Sequence, residues 1–351
     1  MNEKIKILFC AEDFGSIEQN IYLIKFLNEK KLLDKKNSIF ICNKLFKNKI
    51  KQPHISLKLY FSDINVENEK RIIQLSKINN IDLAIVGMSI QPQSLDYKIT
   101  KIMNKENIAS LAIQDFWGYT GNFDKNVYPK YLLVADKYAK KLSKNKLNSE
   151  IIISGLPKYF KKKSLISFKD NTKKNNLLLI GQPNYVSGIY LYYNFLKKMN
   201  FSNFDNIFYL PHPIEKNLKS FFKKKKIEII KRNNLHKYLN RNFIIINSFS
   251  TLSYDILFSA NFFKKNIFYK IIFLTFRKKL LNFIQKTVGS RKLPLTNNEN
   301  IFQLSKFKNS DIEINKILKK KFSKNKLTRK YFLEAHSGKF FIKILNKLVR
   351  K

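Results

Sequence analysis

Short apolar runs alternate with helix-period segments through the first half of this 351-residue chain. Residues 4–11 read as a strand, and residues 17–33 as an amphipathic helix with Ile21, Ile24, Leu27 and Leu32 on one side. A second strand is predicted at 38–43. After a polar stretch come a helix at 70–80, a strand at 81–89, a helix at 94–105 and a strand at 108–115. Two more strands, 131–136 and 150–155, enclose a basic helix. Alternation at this spacing calls for a parallel sheet covered by helices on both faces.

Gly155-Leu156-Pro157 breaks the pattern, and the polar runs Lys161-Lys162-Lys163-Ser164 and Asp170-Asn171-Thr172-Lys173-Lys174 follow it. The alternation then restarts, with strands at 176–180, 206–210, 243–247 and 268–273. Residues 331–351 read as a final amphipathic helix. The uncharged stretch 175–196 is long enough to cross a membrane, but Gly181-Gln182-Pro183-Asn184 in its middle makes it a strand, a turn and a helix. The expected fold class is therefore α/β, with two Rossmann-like parallel-sheet domains facing a central cleft. Residues 1–157 form the first, 158–172 the linker, and 173–351 the second, which carries the C-terminal helix.

Composition narrows the function classes. Hydrophobic residues make up 44% of the chain, enough for two cores, and the mean hydropathy of −0.31 fits a water-soluble protein. Lysine and arginine number 68 against 25 acidic residues, a net charge of +43. Such a balance favours an anionic partner. The lysines are also spread evenly among many Asn, Ile and Phe, as AT-rich coding alone would produce, so both causes stay open. No nucleic-acid-binding motif accompanies the charge, and nucleic acid is not an expected partner. Residues 262–286, which interleave aromatics with lysines through 281, and a lysine run at 223–226 stand out. Both suit peripheral attachment to an anionic inner membrane surface, although a buried strand and a helix with a solvated lysine face would read the same way. The two cysteines, Cys10 and Cys42, sit in apolar runs and fit free buried thiols in a reducing cytoplasm. The first residues carry no apolar signal core, so a cytoplasmic location is expected.

Candidate chemistry lies where the strands end, because parallel sheets bind ligands beyond their carboxyl edges. Glu12-Asp13-Phe14-Gly15-Ser16 follows the first strand: Gly15 permits a tight turn, and the following helix N-terminus offers N–H groups to an anion. An ordinary turn capped by Ser16 would look the same. Asp115, in Gln114-Asp115-Phe116-Trp117-Gly118, sits beside the only tryptophan. A carboxylate flanked by flat aromatics suits a sugar, with Trp117 as the platform and Asp115 accepting a hydroxyl proton. In the second half Gly181-Gln182-Pro183 forms a turn at a strand end. Pro211-His212-Pro213 holds an imidazole between two residues of fixed φ. Asn247-Ser248-Phe249-Ser250-Thr251 brings hydroxyls and N–H groups to a helix start, a metal-free way of holding phosphate. No His/Asp/Glu cluster has metal-ligand spacing, and neither G-x-x-x-x-G-K-[ST] nor G-x-G-x-x-G occurs. No metal and no cofactor are expected.

These motifs, in this order, resemble GT-B-type glycosyltransferases, more narrowly the bacterial sialyltransferases and polysialyltransferases with related capsule and lipopolysaccharide enzymes. Those families carry an acidic motif in the first domain, a His-Pro motif in the second and a later Ser/Thr motif. The counterparts are Asp115, or else Asp13, then His212-Pro213, then Ser248, Ser250 and Thr251. The resemblance implies a carboxylate base, Asp115 ahead of Asp13, that activates an acceptor hydroxyl near Gly15, Ser16 and Trp117. It also implies a nucleotide held by Gly181, Gln182, His212, Pro213 and the hydroxyl cluster. The implied partners are a nucleotide-sugar donor and a glycan or glycolipid acceptor. A bulky aromatic separates carboxylate from glycine in both acidic motifs. Asn233-Asn234-Leu235-His236 stands where sialyltransferases have a Pro-x-Glu-like element, so the resemblance leaves the nucleotide open between CMP and another. Nucleotide-sugar 2-epimerases and glycerophosphate transferases share the fold.

Overall fold

The strands are rich in isoleucine, leucine, valine and phenylalanine because both faces of each sheet are covered. In the computed structural model β1 (Ile7–Ala11), β4 (Leu83–Val86), β6 (Tyr131–Val134) and β8 (Asn176–Ile180) are buried throughout. The structure describes residues 4–44, 57–62, 67–89, 91, 93–160, 175–181, 197, 199, 201–202, 204–212, 215, 227–239, 242–262, 267–296, 300–321 and 338–349. The chain divides into two units, Met1–Lys163 with Tyr331–Lys351, and Ser164–Lys330.

The first unit adds β2 (Ile39–Asn43), β3 (Lys58–Ser62), β5 (Ala109–Ile113) and β7 (Glu150–Ile153) to β1, β4 and β6. All pair in parallel, in the order β3-β2-β1-β4-β5-β6-β7. Its described helices before the C-terminal segment are α1 (Phe14–Glu29), α2 (Glu67–Ile78), α3 (Leu95–Lys105) and α4 (Lys137–Ser143). Three of them start on the residue types that satisfy free N–H groups, with Asp13, Ser94 and Asp136 accepting from the first turn. With 9 glycines in the whole chain, asparagine takes the left-handed exit after three helices, at Asn80 (φ 47°), Asn107 (φ 55°) and Asn145 (φ 65°).

The second unit repeats the plan, with β9 (Asn206–Leu210), β10 (Glu228–Ile229), β11 (Asn242–Asn247), β12 (Phe268–Leu274) and β13 (Ile301–Leu304). These form a parallel sheet of order β10-β9-β8-β11-β12-β13. Its described helices are α5 (Thr251–Phe262), α6 (Lys278–Val288) and α7 (Ser310–Lys319). The expected two-sheet α/β class is therefore observed.

Two sequence expectations change. The final helix, α8 (Lys339–Val349), belongs to the first unit and not the second: Phe341 and Leu345 are fully buried in the core that holds Ile7, Leu23 and Phe26. Gly338 leads into it at φ 62°, where a Cβ would fall 2.3 Å from Phe26 Cζ, so only glycine lets the helix sit this close. The first unit also runs past the expected boundary at 157. Tyr159 and Phe160 are buried, and the Phe160 ring meets Phe26 edge-on at 5.0 Å. The rest of the expected linker, 161–172, lies outside the described residues.

The described part of the aromatic and lysine stretch is the buried strand and helix that the sequence also allowed. Tyr269, Ile271, Ile272 and Phe273 are core residues of β12, and Leu280, Ile284 and Val288 are the buried side of α6. Lys270 is 1% exposed. Its Nζ donates to Ile317 O at 2.9 Å, to Leu318 O at 3.0 Å and to Lys320 O, so it caps the end of α7. Burial, then the Lys320 charge, brings its pKa down to about 8. The Tyr269 and Phe273 rings pack inward, as a buried strand places them. Lysines 223–226 lie outside the described residues. No described helix is long and apolar enough to cross a membrane.

Candidate functional site

Strand order reverses between β1 and β4 in the first unit and between β8 and β11 in the second. Those are the crevices where open parallel sheets bind ligands.

In the first unit β1 runs into Glu12 and Asp13, and β5 into Gln114 and Asp115. Asp13 is the N-cap of α1, its Oδ1 accepting from Ser16 N–H at 2.9 Å. A Cβ on Gly15 would lie 3.3 Å from Asp115 Oδ2 and 3.6 Å from Asp13 Oδ1. Both carboxylates that the sequence offered as rivals therefore flank one glycine. Glu12 turns elsewhere: its Oε2 accepts from Leu95 N–H at the start of α3. Asp96, fully buried, accepts from Gly87 N–H at 3.2 Å and from the Cys10 thiol at 3.5 Å.

Burial is the main cause of every carboxyl shift in this group. It raises Glu12, although the Leu95 N–H opposes it, and raises Asp13 against the Ser16 and Gly15 N–H groups. Asp96 is pushed well up by burial and then by the Asp13 charge. Asp115 is pushed up to about 7 by burial and then by Asp13, while the Lys158 cation pulls the other way. Asp115 Oδ1 is sealed from solvent and accepts no hydrogen bond among the described residues. Asp115 as a whole is half-buried, and a carboxyl poised near neutrality can take or give a proton at physiological pH. Both thiols are buried, and burial pushes them up, Cys42 to about 12, so neither is a nucleophile. Among the described residues no group of His, Cys, Asp and Glu could hold a metal ion.

In the second unit the register pairs Ile180 with Leu210 and Leu179 with Ile246. Gly181, Pro211 and Ser248 therefore leave the sheet at one level. Glu215 Oε2 accepts from His212 N–H at 2.7 Å, and the Tyr209 hydroxyl donates to the same carboxylate at 2.8 Å. Asn247, fully buried, accepts from Ser250 N–H at 3.0 Å, which fixes its amide; its Nδ2 has no hydrogen-bond partner among the described residues. Ser250 Oγ accepts from Leu252 N–H at 3.3 Å and Thr251 opens α5 with its side chain exposed.

Several predicted roles shift on this geometry. Ser16 is buried, and its hydroxyl accepts from Met88 N–H at 3.2 Å, so it braces the β4 exit and Asp13 does the capping. Trp117 is 6% exposed and its Nε1 donates to Asp136 Oδ2 at 2.9 Å. It anchors the loop after β5 and offers no open face to a sugar. His212 and Ser250 follow β9 and β11, the two strands that flank β8. Gln182 and Pro213 lie outside the described residues. Sequence reasoning passed over Asp96, Lys158 and Glu215, and gave Glu12 and Asn247 no role of their own within their motifs. Glu215 had a readable signal, because a Glu three residues after His212 has the spacing that reaches back to a backbone N–H. Lys158 had none, since its 8% exposure depends on tertiary packing.

No protein-family model and no curated sequence matches this chain. Among solved structures it is similar to a putative UDP-N-acetylglucosamine 2-epimerase from Listeria monocytogenes (TM-score 0.63, 9% identity, covering 98% of this chain and 96% of that one). It is also similar to S. aureus MnaA in its co-structure with UDP (TM-score 0.63, 11% identity, 99% and 98% covered). A third is the lipopolysaccharide outer core galactosyltransferase WaaB (TM-score 0.53, 12% identity, 98% and 100% covered). Such likenesses carry the fold and span the chain: two Rossmann-like domains of the GT-B type, shared by glycosyltransferases and 2-epimerases.

Proposed function

We propose that this protein is a glycosyltransferase that moves a sugar from a nucleotide-activated donor to a hydroxyl of a glycan or glycolipid acceptor, without a metal. The observation that carries this reading is the Asp13/Asp115 pair across Gly15, with Asp115 held near pH 7. Asp115 takes the acceptor hydroxyl proton as the oxygen bonds to the sugar's anomeric carbon. The bond from that carbon to the donor phosphate breaks, and the nucleotide leaves with the electron pair. The second unit holds the nucleotide. Ser248, Ser250 and the α5 N-terminus meet the leaving phosphate, whose charge the helix dipole favours, and His212 adds a donor. Solved structures of the same fold include one with UDP bound, which makes uridine nucleotides the first donors to test. A bacterial surface polysaccharide or lipopolysaccharide would be the acceptor.

A second reading, a nucleotide-sugar 2-epimerase, is favoured by the same pair of carboxyl groups. Inverting a carbon requires one proton removed and one returned, and two carboxyls at one glycine can divide those tasks. The decisive experiment separates both from a non-enzymatic polyanion binder. Thermal stabilisation by UDP, CDP or CMP is measured first, then turnover of UDP-N-acetylglucosamine alone and with candidate acceptors. Epimer formation without acceptor selects the second reading, and acceptor-dependent nucleotide release the first. Salt-sensitive binding to any polyanion, with no nucleotide effect, would defeat both.

A further inference from the structure

Gly181 has room for nothing larger than hydrogen. A Cβ there would lie 2.0 Å from Glu215 Oε2, 2.6 Å from the Tyr209 hydroxyl and 2.7 Å from His212 N. No real Cβ approaches other atoms so closely, so the glycine is required by what packs on it. What packs on it is one carboxylate with two fixed donors. Glu215 accepts from His212 N–H at 2.7 Å, and the Tyr209 hydroxyl lies 2.9 and 2.8 Å from its two oxygens. The backbone closes the same loop, with Glu215 N–H donating to His212 O at 2.9 Å. Tyr209 is 1% exposed in β9, so the hydroxyl that orients Glu215 is anchored in the core.

We propose that Glu215 is the positioning residue for His212, and that Gly181 is the space that lets it act. The proposal rests on the reading of His212 as a nucleotide contact. The carboxylate does not touch the ligand; it sets the backbone from which the imidazole projects. Two carboxylate oxygens shared between a backbone N–H and a phenol form a charge-assisted pair, the stronger kind of hydrogen bond. Glutamine preserves the arrangement, because its carbonyl accepts from His212 N–H and its amide donates to the Tyr209 oxygen. Alanine at 215 deletes it. Alanine at 181 keeps every polar group and displaces the carboxylate.

The test uses the full chain with UDP and with CMP, measured by titration calorimetry, in Glu215→Gln, Glu215→Ala, Gly181→Ala and His212→Ala. Glu215→Ala and Gly181→Ala should each weaken binding about tenfold, as His212→Ala does, the loss expected for a hydrogen bond to a charged group. Glu215→Gln should stay within about twofold of the wild type, and Gly181→Ala combined with Glu215→Ala should lose no more than either alone. If His212→Ala weakens binding while Glu215→Ala and Gly181→Ala do not, Glu215 is merely structural and the proposal is wrong. If His212→Ala has no effect, the reading of His212 fails instead. A readout independent of any ligand is the His212 imidazole carbon resonance, resolvable because the chain has 4 histidines. It should move in Glu215→Ala and Gly181→Ala and stay in place in Glu215→Gln. An unmoved resonance in both alanine variants overturns the positioning role even if neither nucleotide binds.

Discussion

The two units share a strand plan and differ in what they place at its reversal point. Unit one runs β3-β2-β1-β4-β5-β6-β7 and unit two β10-β9-β8-β11-β12-β13, so each has a central strand followed by a crevice. In the first, the helix N-termini beside that crevice are met by the protein's own carboxylates, Asp13 at α1 and Glu12 at α3. In the second, α5 starts on neutral Ser250 and has no acidic residue in its first turn. A helix N-terminus carries a partial positive charge. Where a carboxylate has already met it, a second anion gains little and meets repulsion; where a hydroxyl has, an incoming phosphate gains the full dipole. One topology thus carries a crevice lined by carboxylates and one whose helix start is neutral, and the distinction lies in a few residues after each strand.

The largest expected effect breaks the first crevice. Asp115→Asn should lower turnover by roughly 10²–10⁴-fold, the usual worth of a general base, while nucleotide affinity in calorimetry stays unchanged. The same variant should be more stable at pH 8. The folded-state pKa lies above the ordinary 3.8, so the folded protein holds more protons than the unfolded one between those values. Stability therefore falls as pH rises from about 4 through 7, and the full penalty is present above that. Removing the carboxylate should return on the order of 1–3 kcal/mol at pH 8 in urea melts and flatten that pH dependence. Equal stability of mutant and wild type at pH 8 would mean that Asp115 is not held neutral by burial.

His212→Ala tests the second crevice and should cost about tenfold in nucleotide affinity with the fold intact, since the side chain is half-buried at a strand exit. A drop in melting temperature without a change in affinity would count against it.

Two substitutions around Asp115 should move the acid limb of the pH–rate profile in opposite directions, each by roughly one unit. Asp13→Asn keeps the α1 cap and removes the neighbouring charge, so the Asp115 pKa falls and the limb shifts to lower pH. Lys158→Met removes the opposing cation, so the limb shifts to higher pH and activity lost at pH 7 returns near pH 9. Shifts in the same direction, or none, would show that these charges do not face the base. The smallest effect is Ser250→Ala, which should lower stability by about 1 kcal/mol through loss of the α5 cap. In the first unit Asp13→Ala should cost a similar cap while also changing the pH profile; a pure stability effect there would erase the contrast between the crevices.

How much of this was readable varies by element. Strands β1, β8 and β11 and helices α1 and α3 stood out, because their period appears within a few neighbouring residues. Strand β3 was hidden in a polar stretch, and β10, two residues long and exposed, carries no pattern. Candidate residues at strand exits were readable by type but not by use. Trp117 looks like a platform in sequence and is an anchor in the fold, because Asp136, from the exit of β6, takes its N–H.

The sequence by itself determined the alternation of strands and helices, the restart after Gly155-Leu156-Pro157, and the presence of carboxylates, a histidine and hydroxyls at strand ends. Those follow from local periodicity and turn chemistry, which neighbours in the chain decide. Only the tertiary structure decided that Asp13 and Asp115 meet at Gly15, that Glu215 lies on Gly181, that Lys270 is buried beneath α7, and that α8 belongs to the first unit. Each of these depends on which strands and helices lie side by side, and residues far apart in the chain are brought together by the packing of whole elements, which no local pattern encodes.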